Sequence, residues 1–432
     1  MHVNIRGLSL EVPDHAKVLA PPAGYTPKDF LSVATQALDY PLDKPPLAQW
    51  ALAGKKVALL IDDWGRPTPC SEFLPAVMDR LHAAGAKRED ITIITASGMH
   101  DPMDADAMQR KVGREIYLHY RCVSHDAGDP NMLAFVGITP MGTPVWANRF
   151  AVTADIRITF GRVFPHICYG YEGGYKMIVP GIASFETILR DHSLNFSDNS
   201  TYAVIRDNAS RAEADAVGRM VGIDMMAAFV MDWVDRPVAG FAGSVETAFP
   251  ACVNYGQRNV WGAVSGGRAD ITLLSAKTAG RTHLSQNPMY YLGMAINATK
   301  PDGILIADLD YVAPQKIVIE GVDMDEIPID QLLRMHERRN WNMNARQIQH
   351  AVKAIRGAFY YRRIFEFRSQ TLFLASNTFP FRILEKWKAR QFATCADAMQ
   401  EALSRKGGDA SVTIIPDGTH TLPLCAYDYP TP

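Results

Sequence analysis

Short apolar runs rich in β-branched residues alternate with helical patterns along the chain. This alternation is typical of an α/β protein whose sheets are mainly parallel. In the first half, the predicted strands are VALLI (57–61), DITIITASG, RCVSHD and ADIRITFG. The pattern restarts after the glycine-rich WGAVSGGRAD (261–270), where the predicted strands are ITLLSA, GILIADLD, KIVIEG, TLFLASN and SVTIIPDG.

Amphipathic stretches predict the helices between these strands. One follows the first strand, with Ser71 as the expected N-cap and Gly85 as the stop, and the others are predicted over Ile182–Arg190, Met324–Arg338 and Ala396–Lys406. The restart of the pattern predicts two α/β lobes with an active-site cleft between them. We expect residues 1–265 to form an N-terminal cofactor-binding catalytic domain and residues 266–432 a C-terminal α/β domain that closes over the substrate. A return of the last residues to the first lobe is compatible with this division.

Charge and cysteine content exclude several classes of protein. The net charge is −2 with no block of Lys and Arg, which gives no electrostatic footprint for nucleic acid or an anionic membrane. The six cysteines are scattered and form no C-x-x-C pair, so neither a zinc knuckle nor a disulfide framework is expected. The N-terminus lacks the apolar core of a signal peptide, and no apolar stretch is long enough to span a bilayer. We therefore expect a cytoplasmic protein.

Polar residues that directly follow predicted strands are the candidates for a ligand site, because ligands collect at the carboxyl ends of strands in open α/β sheets. The turn DDWGRPTP places Asp63 and Arg66 there, and Arg66 can bind a carboxylate or phosphate or pair structurally with Asp63. His100 and His166 follow two other strands and could serve in turn as base and acid. A single loop histidine is more often structural. His125 is a weaker third candidate, since Asp126 can simply hold its turn.

The segment YEGGYKMIVPGIAS (171–184) holds one lysine, Lys176, after two glycines and within an apolar run. Gly173 and Gly174 would allow a ligand to approach the backbone closely. A desolvated Lys176 would have a lowered pKa and could form a covalent bond as a nucleophile. The alternative is a structural ion pair with Glu172 or an aspartate. His192, sixteen residues further on, could ligate a metal whose remaining ligands come from elsewhere.

These residues, in this order, resemble the lactate racemase family of nickel-pincer-nucleotide enzymes. The motifs that carry the resemblance are the Asp63–Arg66–Pro67 turn, GMHDPM (98–103), His166, GGYKMIVPGIAS (173–184) and the trailing His192. The resemblance covers most of the first half of the chain and is fainter in the second half.

The resemblance implies a cofactor, a pyridinium-3,5-bisthiocarboxylic acid mononucleotide that carries nickel. Lys176 would be its covalent attachment point and His192 the protein ligand to the metal, while the pincer supplies the sulfur ligands. The residues that would hold the nucleotide are Asp63, Trp64, Gly65, Arg66, Gly173 and Gly174.

By the same resemblance, the expected reaction is racemisation or epimerisation at C2 of a 2-hydroxy acid by proton-coupled hydride transfer. One of His100 and His166 would take the hydroxyl proton while the hydride leaves C2 for the pincer. The flat 2-oxo intermediate would then receive the hydride on its other face, with the opposite histidine acting. Arg66 would bind the substrate carboxylate.

The chain departs from the family in the predicted substrate pocket. The family's Tyr-Gln-x-x-Lys motif aligns with Gln286, Asn287 and Tyr290, so Asn287 and Tyr290 would offer neutral hydrogen bonds where the family has a cation. Gly65 stands where the family usually has Thr. These changes predict a substrate larger than lactate, such as a sugar acid or an aryl- or alkyl-bearing hydroxy acid.

Two other functions remain compatible with the sequence. One is a metal-dependent hydrolase or dehydratase that uses His100, His166 and His192 directly as ligands. The other is a non-catalytic carrier of the cofactor. The expected partners are the small-molecule substrate and the enzymes of cofactor synthesis, with neither nucleic acid nor membrane.

Overall fold

The structure is a computed structural model that describes residues 1–276, 289–310, 318–319, 322–323 and 361–425. Its contacts divide the chain into two compact units. The first unit contains residues 24–200 and 204–256. The second unit contains residues 1–23, 201–203 and the described residues from 257 onward.

The strands follow one another along the chain as short segments. They are β1 His2–Ile5, β2 Leu8–Glu11, β3 Lys17–Val18, β4 Val57–Asp62, β5 Ile91–Ala96, β6 Arg121–Ser124, β7 Leu133–Ile138, β8 Pro144–Asn148, β9 Ile156–Val163, β10 Pro165–His166, β11 Gly170–Tyr171, β12 Met225–Met231, β13 Pro237–Gly243, β14 Gly262–Val264, β15 Ala269–Ala276, β16 Thr299–Leu309, β17 Val318–Ile319, β18 Val322–Asp323, β19 Thr371–Ala375, β20 Arg390–Phe392, β21 Val412–Ile415 and β22 Leu422–Leu424.

The α-helices alternate with these strands. They are α1 Phe30–Asp39, α2 Cys70–Ala83, α3 Ala105–Val112, α4 Arg114–His119, α5 Arg149–Val152, α6 Phe185–Ser193, α7 Ala209–Val221, α8 Val245–Asn259, α9 Met289–Ala298, α10 Phe381–Lys386 and α11 Cys395–Lys406. One of the short 3₁₀ helices, Gly174–Met177, contains Lys176.

The first unit is built on a six-stranded sheet in the order β13-β12-β9-β4-β5-β6. All neighbours are parallel except β13, which runs antiparallel to β12. Every residue of β4 is buried, as expected for a central strand that is covered on both faces. One face packs against α1 to α4, where Phe73 of α2 lies 5.6 Å from Phe160 and 5.2 Å from Phe229 between ring centroids.

The order of the first sheet indicates where a ligand site is expected. From β4 the chain adds β5 and β6 on one side, and it then returns to add β9, β12 and β13 on the other. The carboxyl ends of β4 and β9 therefore flank the point at which the strand order reverses, where open α/β sheets form a crevice.

The second unit has a six-stranded sheet, in the order β20-β19-β16-β15-β21-β3, in which all neighbours are parallel. The edge strand β3 comes from the N-terminus and pairs Lys17 with Thr413 and Val18 with Ile414. Because of this pairing, residues 1–23 belong to the second unit, whereas the sequence division placed them in the first. The units separate near residue 257 and not at 265. The possible return of the last residues falls beyond residue 425, outside the described part.

The fold class predicted from the alternation of strands and helices, α/β with mainly parallel sheets, is confirmed. Two helix starts were wrong. Helix α2 begins at Cys70 after Pro69, so Ser71 lies inside it and is not its N-cap. Helix α6 begins at Phe185 and not at Ile182, because the side chain of Ser184 accepts a hydrogen bond from the Thr187 N–H and caps it there. The predicted helix Met324–Arg338 lies outside the described residues.

The described helices contain no segment that is both long and apolar enough to cross a membrane. All six cysteines are free thiols.

Candidate active site

Three predicted site residues follow neighbouring strands of the first sheet. Asp63 comes directly after β4, His100 follows β5, and His166 lies in β10, just after β9. Because β9, β4 and β5 are adjacent and parallel, these three residues lie beyond the same edge of the sheet, at the reversal of strand order.

Asp63 holds the ring of His100. The distance from His100 Nδ1 to Asp63 Oδ2 is 2.6 Å, and the carboxylate is buried while the imidazole is partly exposed. Gly65 packs against this pair, since a Cβ at residue 65 would lie 3.3 Å from Asp63 Oδ1 and 3.4 Å from His100 Cε1. A larger side chain at residue 65 would press on both residues.

A buried ion pair between Lys111 and Asp62 holds the turn after β4 in place. Lys111 donates to Asp62 Oδ1 at 2.7 Å and to the carbonyl of Thr68 at 2.9 Å. Burial disfavours the charge of Lys111, but the neighbouring charge of Asp62 raises its pKa. Lys111 is therefore a charged lysine whose contacts stabilise this turn, in contrast to Lys176.

Arg66 does not pair with Asp63. Its guanidinium lies 3.3 Å from Glu172 Oε1, and Arg162 binds Glu172 Oε2 at 2.6 Å. Burial would raise the pKa of Glu172, but the two guanidinium groups lower it to about 2. Glu172 is therefore ionised, and through Arg66 it connects the turn after β4 to residues 171–184. It makes no ion pair with Lys176.

The backbone conformation and the close packing of the segment before Lys176 both require its two glycines. Gly173 and Gly174 adopt φ of +83° and +64°, values that favour glycine. A Cβ on Gly173 would lie 2.7 Å from Val163 of β9, and one on Gly174 would lie 2.6 Å from the guanidinium of Arg211. The segment therefore packs closely on the sheet, which places Lys176 near its carboxyl edge.

The amine of Lys176 lies over an aromatic ring, with Nζ 3.5 Å from the centroid of Tyr169. Within the described residues, it has no hydrogen-bond acceptor and no ion-pair partner. Burial lowers the pKa of Lys176 to about 7, although the charges of Asp191 and Glu172 act in the opposite direction. A substantial fraction of this amine is therefore uncharged and nucleophilic near neutral pH.

Tyr169 contacts both Lys176 and His192. Its hydroxyl donates a short hydrogen bond to Asp191 Oδ2 and lies 2.9 Å from His192 Nδ1. Asp191 Oδ2 also lies 3.0 Å from His192 Nδ1, so this ring nitrogen carries the proton. The proton on Nδ1 leaves the lone pair of Nε2 for another ligand, as in carboxylate–histidine–metal triads.

Sequence reasoning missed Tyr169 and Asp191. Both side chains are fully or almost fully buried, and Asp191 Oδ1 has no hydrogen-bond partner in the part of the chain that the structure describes. Burial, with the charge of Asp191, raises the pKa of Tyr169, so the phenol stays protonated. The signal that could have found Asp191 is its position directly before His192.

His166 has a different hydrogen-bond pattern. Its Nδ1 accepts from the backbone N–H groups of Cys168 and Tyr169, at 3.1 and 3.3 Å. Its ring also lies edge-on to Tyr169, with 5.3 Å between centroids.

His125, the weaker candidate, is structural. It is fully buried, with Nε2 3.0 Å from the carbonyl of Ala183 and Nδ1 3.3 Å from the amide of Asn148. Burial lowers the pKa of His125 to about 4, so it is neutral.

Of the remaining predicted site residues, the structure describes some and not others. Trp64 exposes 58% of its surface on the turn after β4. Asn287 lies outside the described residues. Tyr290 lies in α9, and its side chain is outside the described part.

We predict that Lys176→Met stabilises the protein. Between pH 7 and 10.5, the unfolded chain binds a proton at Lys176 that the folded protein does not, so wild-type stability rises with pH in this window. The gain from the substitution should be on the order of 1–3 kcal/mol at pH 7 and should shrink toward pH 10. Thermal and urea unfolding at several pH values measure it.

Lys111→Met is the matched control. It leaves Asp62 buried without its cation, so it should destabilise by about 3–5 kcal/mol. A loss of stability in Lys176→Met similar to that in Lys111→Met, or a gain that does not change with pH, would contradict the assignment of a desolvated amine.

Comparison with known proteins gives a consistent result. Residues 5–203 match the family model of the lactate racemase N-terminal domain. The lactate racemase of Thermoanaerobacterium thermosaccharolyticum is 28% identical over 218 residues, which are 50% of this chain and 51% of that protein. The lactate racemase of Lactiplantibacillus plantarum is 27% identical over 215 residues, 49% of this chain and 50% of that protein. The match thus spans about half the length of these relatives.

Solved structures extend the likeness of fold further along the chain. The lactate racemase apoprotein of Thermoanaerobacterium thermosaccharolyticum has a TM-score of 0.74 at 21% identity and covers 96% of this chain and 97% of its own. A protein from Thermotoga maritima has a TM-score of 0.53 at 17% identity, over 86% and 93% of the two chains. Residues 5–203, just under half of the chain, are therefore similar to the N-terminal domain of lactate racemases.

Proposed function

We propose that this protein is an isomerase that inverts C2 of a 2-hydroxy acid, with a nickel-pincer nucleotide attached covalently to Lys176. The observation that carries the proposal is the desolvated amine of Lys176, which has no acceptor in the described structure and shares Tyr169 with His192. Without an ion-pair partner in the described structure, Lys176 makes no salt bridge that would explain its presence. The uncharged form of its amine is the one that bonds to a carbon electrophile.

The side chains around Lys176 fit the cofactor that the family implies. The Nδ1 proton of His192 is directed to Asp191 and Tyr169, so Nε2 is oriented as a single nitrogen ligand for nickel. In the described ranges, no three or more His, Cys, Asp or Glu side chains are grouped to hold a metal ion. A nickel cofactor that carries its own sulfur ligands would need only one further ligand from the protein. When bound, this group supplies an acceptor for the hydride of C2.

The protein's own residues handle the proton and the charges. His100, which Asp63 orients, would form the acid–base pair with His166, and one of the two would take the hydroxyl proton of the substrate. Arg66 is held by Glu172 on one side, and 30% of its side chain is exposed, so donors remain for a substrate carboxylate or the nucleotide phosphate. Trp64, exposed on the same turn, provides a flat apolar surface for the nucleotide.

The competing functions have less support. A hydrolase that binds its metal through His100, His166 and His192 would need these three rings to converge, and the described residues contain no such group. A non-catalytic carrier would not need the Asp63–His100 pair, whose buried carboxylate holds a partly exposed imidazole as a general base requires.

We predict that protein expressed with the cofactor-synthesis enzymes carries a covalent mass increment and about one nickel per chain. Lys176→Arg should lose the increment, because a guanidinium is a poor nucleophile. His192→Gln should keep the increment and lose most of the nickel, because only the protein ligand is removed. Intact-mass spectrometry and metal analysis measure both quantities.

His119→Gln is the matched control, since His119 is about half exposed and far along the chain from these residues. It should keep both the increment and the nickel. An increment that persists in Lys176→Arg, or wild-type protein that stays unmodified when fully supplied, would overturn the proposal.

The substrate is proposed to be larger than lactate. This proposal comes from Gln286, Asn287 and Tyr290, which replace the family's Tyr, Gln and Lys, and their side chains lie outside the described residues. We predict a kcat/KM for lactate at least about tenfold below that for the best sugar acid or aryl- or alkyl-bearing hydroxy acid. A panel of 2-hydroxy acids tests this, and lactate as the best substrate would refute it.

A further inference from the structure

The hairpin formed by β7 and β8 has an apolar face that is exposed. Phe135 of β7 pairs directly with Trp146 of β8, and their ring centroids are 5.0 Å apart. Phe135 is 52% exposed and Trp146 is 37% exposed. On the other face of β8, Val145 and Ala147 are fully buried. A sheet with one buried face usually presents polar side chains on the other, but this hairpin is apolar on both faces.

A β-bulge extends the exposed apolar face along the hairpin. Ile138 pairs with Pro144, which lies two residues before Trp146 on β8, so Ile138 is on the same face as Phe135 and Trp146. The register shift just after Phe135 makes this possible, because the extra residue in β7 returns the next side chain to the same side. Ile138 is 63% exposed, and Met141, in the turn between the strands, is 57% exposed. We call these four side chains the hairpin face: Phe135, Ile138, Met141 and Trp146.

Contacts with α7 hold the hairpin in a fixed position. Thr139 Oγ1 donates to Glu213 Oε1 at 2.6 Å, and both residues are buried. Gly137 packs closely on the same helix, since a Cβ there would lie 2.7 Å from Met220 Cε. The turn is closed by the N–H of Thr139, which donates to the carbonyl of Thr143 at 2.9 Å. The hairpin face is therefore preorganised, which lowers the entropic cost of binding a partner.

The charge pattern around the hairpin face suits a second copy of the same chain. Residues 131–148 contain no Asp, Glu, Lys, Arg or His, in a chain that is 21% Asp, Glu, Lys and Arg. The nearest charged residues along the sequence are Asp129 and Arg149, one of each sign. The cores of protein interfaces are depleted of charged residues. A two-fold interface brings the same patch of both chains together, so a net charge on the patch would face a like charge.

The size of the hairpin face also matches what a dimer needs. Its four side chains leave on the order of 400 Å² of apolar surface exposed per chain. A stable interface buries about 800 Å² per partner, of which roughly 60% is apolar. We infer that the hairpin face is the core of a homodimer interface, in which the hairpin faces of two copies of this chain pack against each other across a two-fold axis.

The oligomeric state of the full chain tests this inference. Sedimentation velocity and light scattering over a concentration series should show a dimer of the wild type. Ile138→Lys would place two ammonium groups in one apolar interface and should raise the dissociation constant of the dimer at least about 100-fold. Met141→Lys should have a similar effect, and because Met141 lies in the turn, this variant keeps the strand pairing of the hairpin.

Leu118→Lys is the matched control, since Leu118 is 59% exposed on α4, outside the hairpin. It should remain as dimeric as the wild type. A wild-type chain that is monomeric up to about 100 µM would overturn the inference. So would a dimer that persists in both hairpin variants, or one that dissociates equally in Leu118→Lys. The test needs neither cofactor nor substrate, so its outcome is independent of the proposed function.

Discussion

A half-buried amine with no ion-pair partner among the described residues is the constraint on which the arrangement of this site depends. Three arginines near this segment pair with carboxylates: Arg66 and Arg162 share Glu172, Arg162 also binds Asp235, and Arg211 pairs with Asp215. Lys176 instead contacts the face of Tyr169. Burial disfavours the charged form of Lys176 more strongly than the charges of Asp191 and Glu172 favour it, so its uncharged form becomes accessible near neutral pH.

The same segment determines how the histidines are oriented. Tyr169 contacts the ring of His166, the amine of Lys176 and Nδ1 of His192, and Asp191 fixes the position of its hydroxyl. The Nδ1 atoms of the three candidate imidazoles have different partners: Asp63 for His100, two backbone N–H groups for His166, and Asp191 with Tyr169 for His192.

Much of the fold could be predicted from local sequence. The β-branched runs predicted β4, β5 and β9, and the polar residues directly after them were correctly expected to lie at one edge of the sheet. What could not be predicted depends on contacts between distant residues. The pairing of β3 with β21 joins positions about 400 residues apart, and the pairing of Glu172 with Arg66 excludes a lysine–glutamate pair that adjacency in sequence made plausible. Tyr169 resembles other buried aromatic residues in sequence, and only its contacts reveal its role.

The central claim is that the pKa of Lys176 is lowered enough for part of its amine to be uncharged at neutral pH, and titration of this amine tests the claim most directly. Lysine labelled with ¹³C at Cε reports the ionisation of each amine by NMR, and Lys176→Met identifies the signal. The account predicts an inflection near pH 7 for Lys176, with the exposed lysines titrating near the ordinary value of about 10.4. An inflection for Lys176 at or above that ordinary value would show a stabilised ammonium and would contradict the assignment of this residue as a nucleophile.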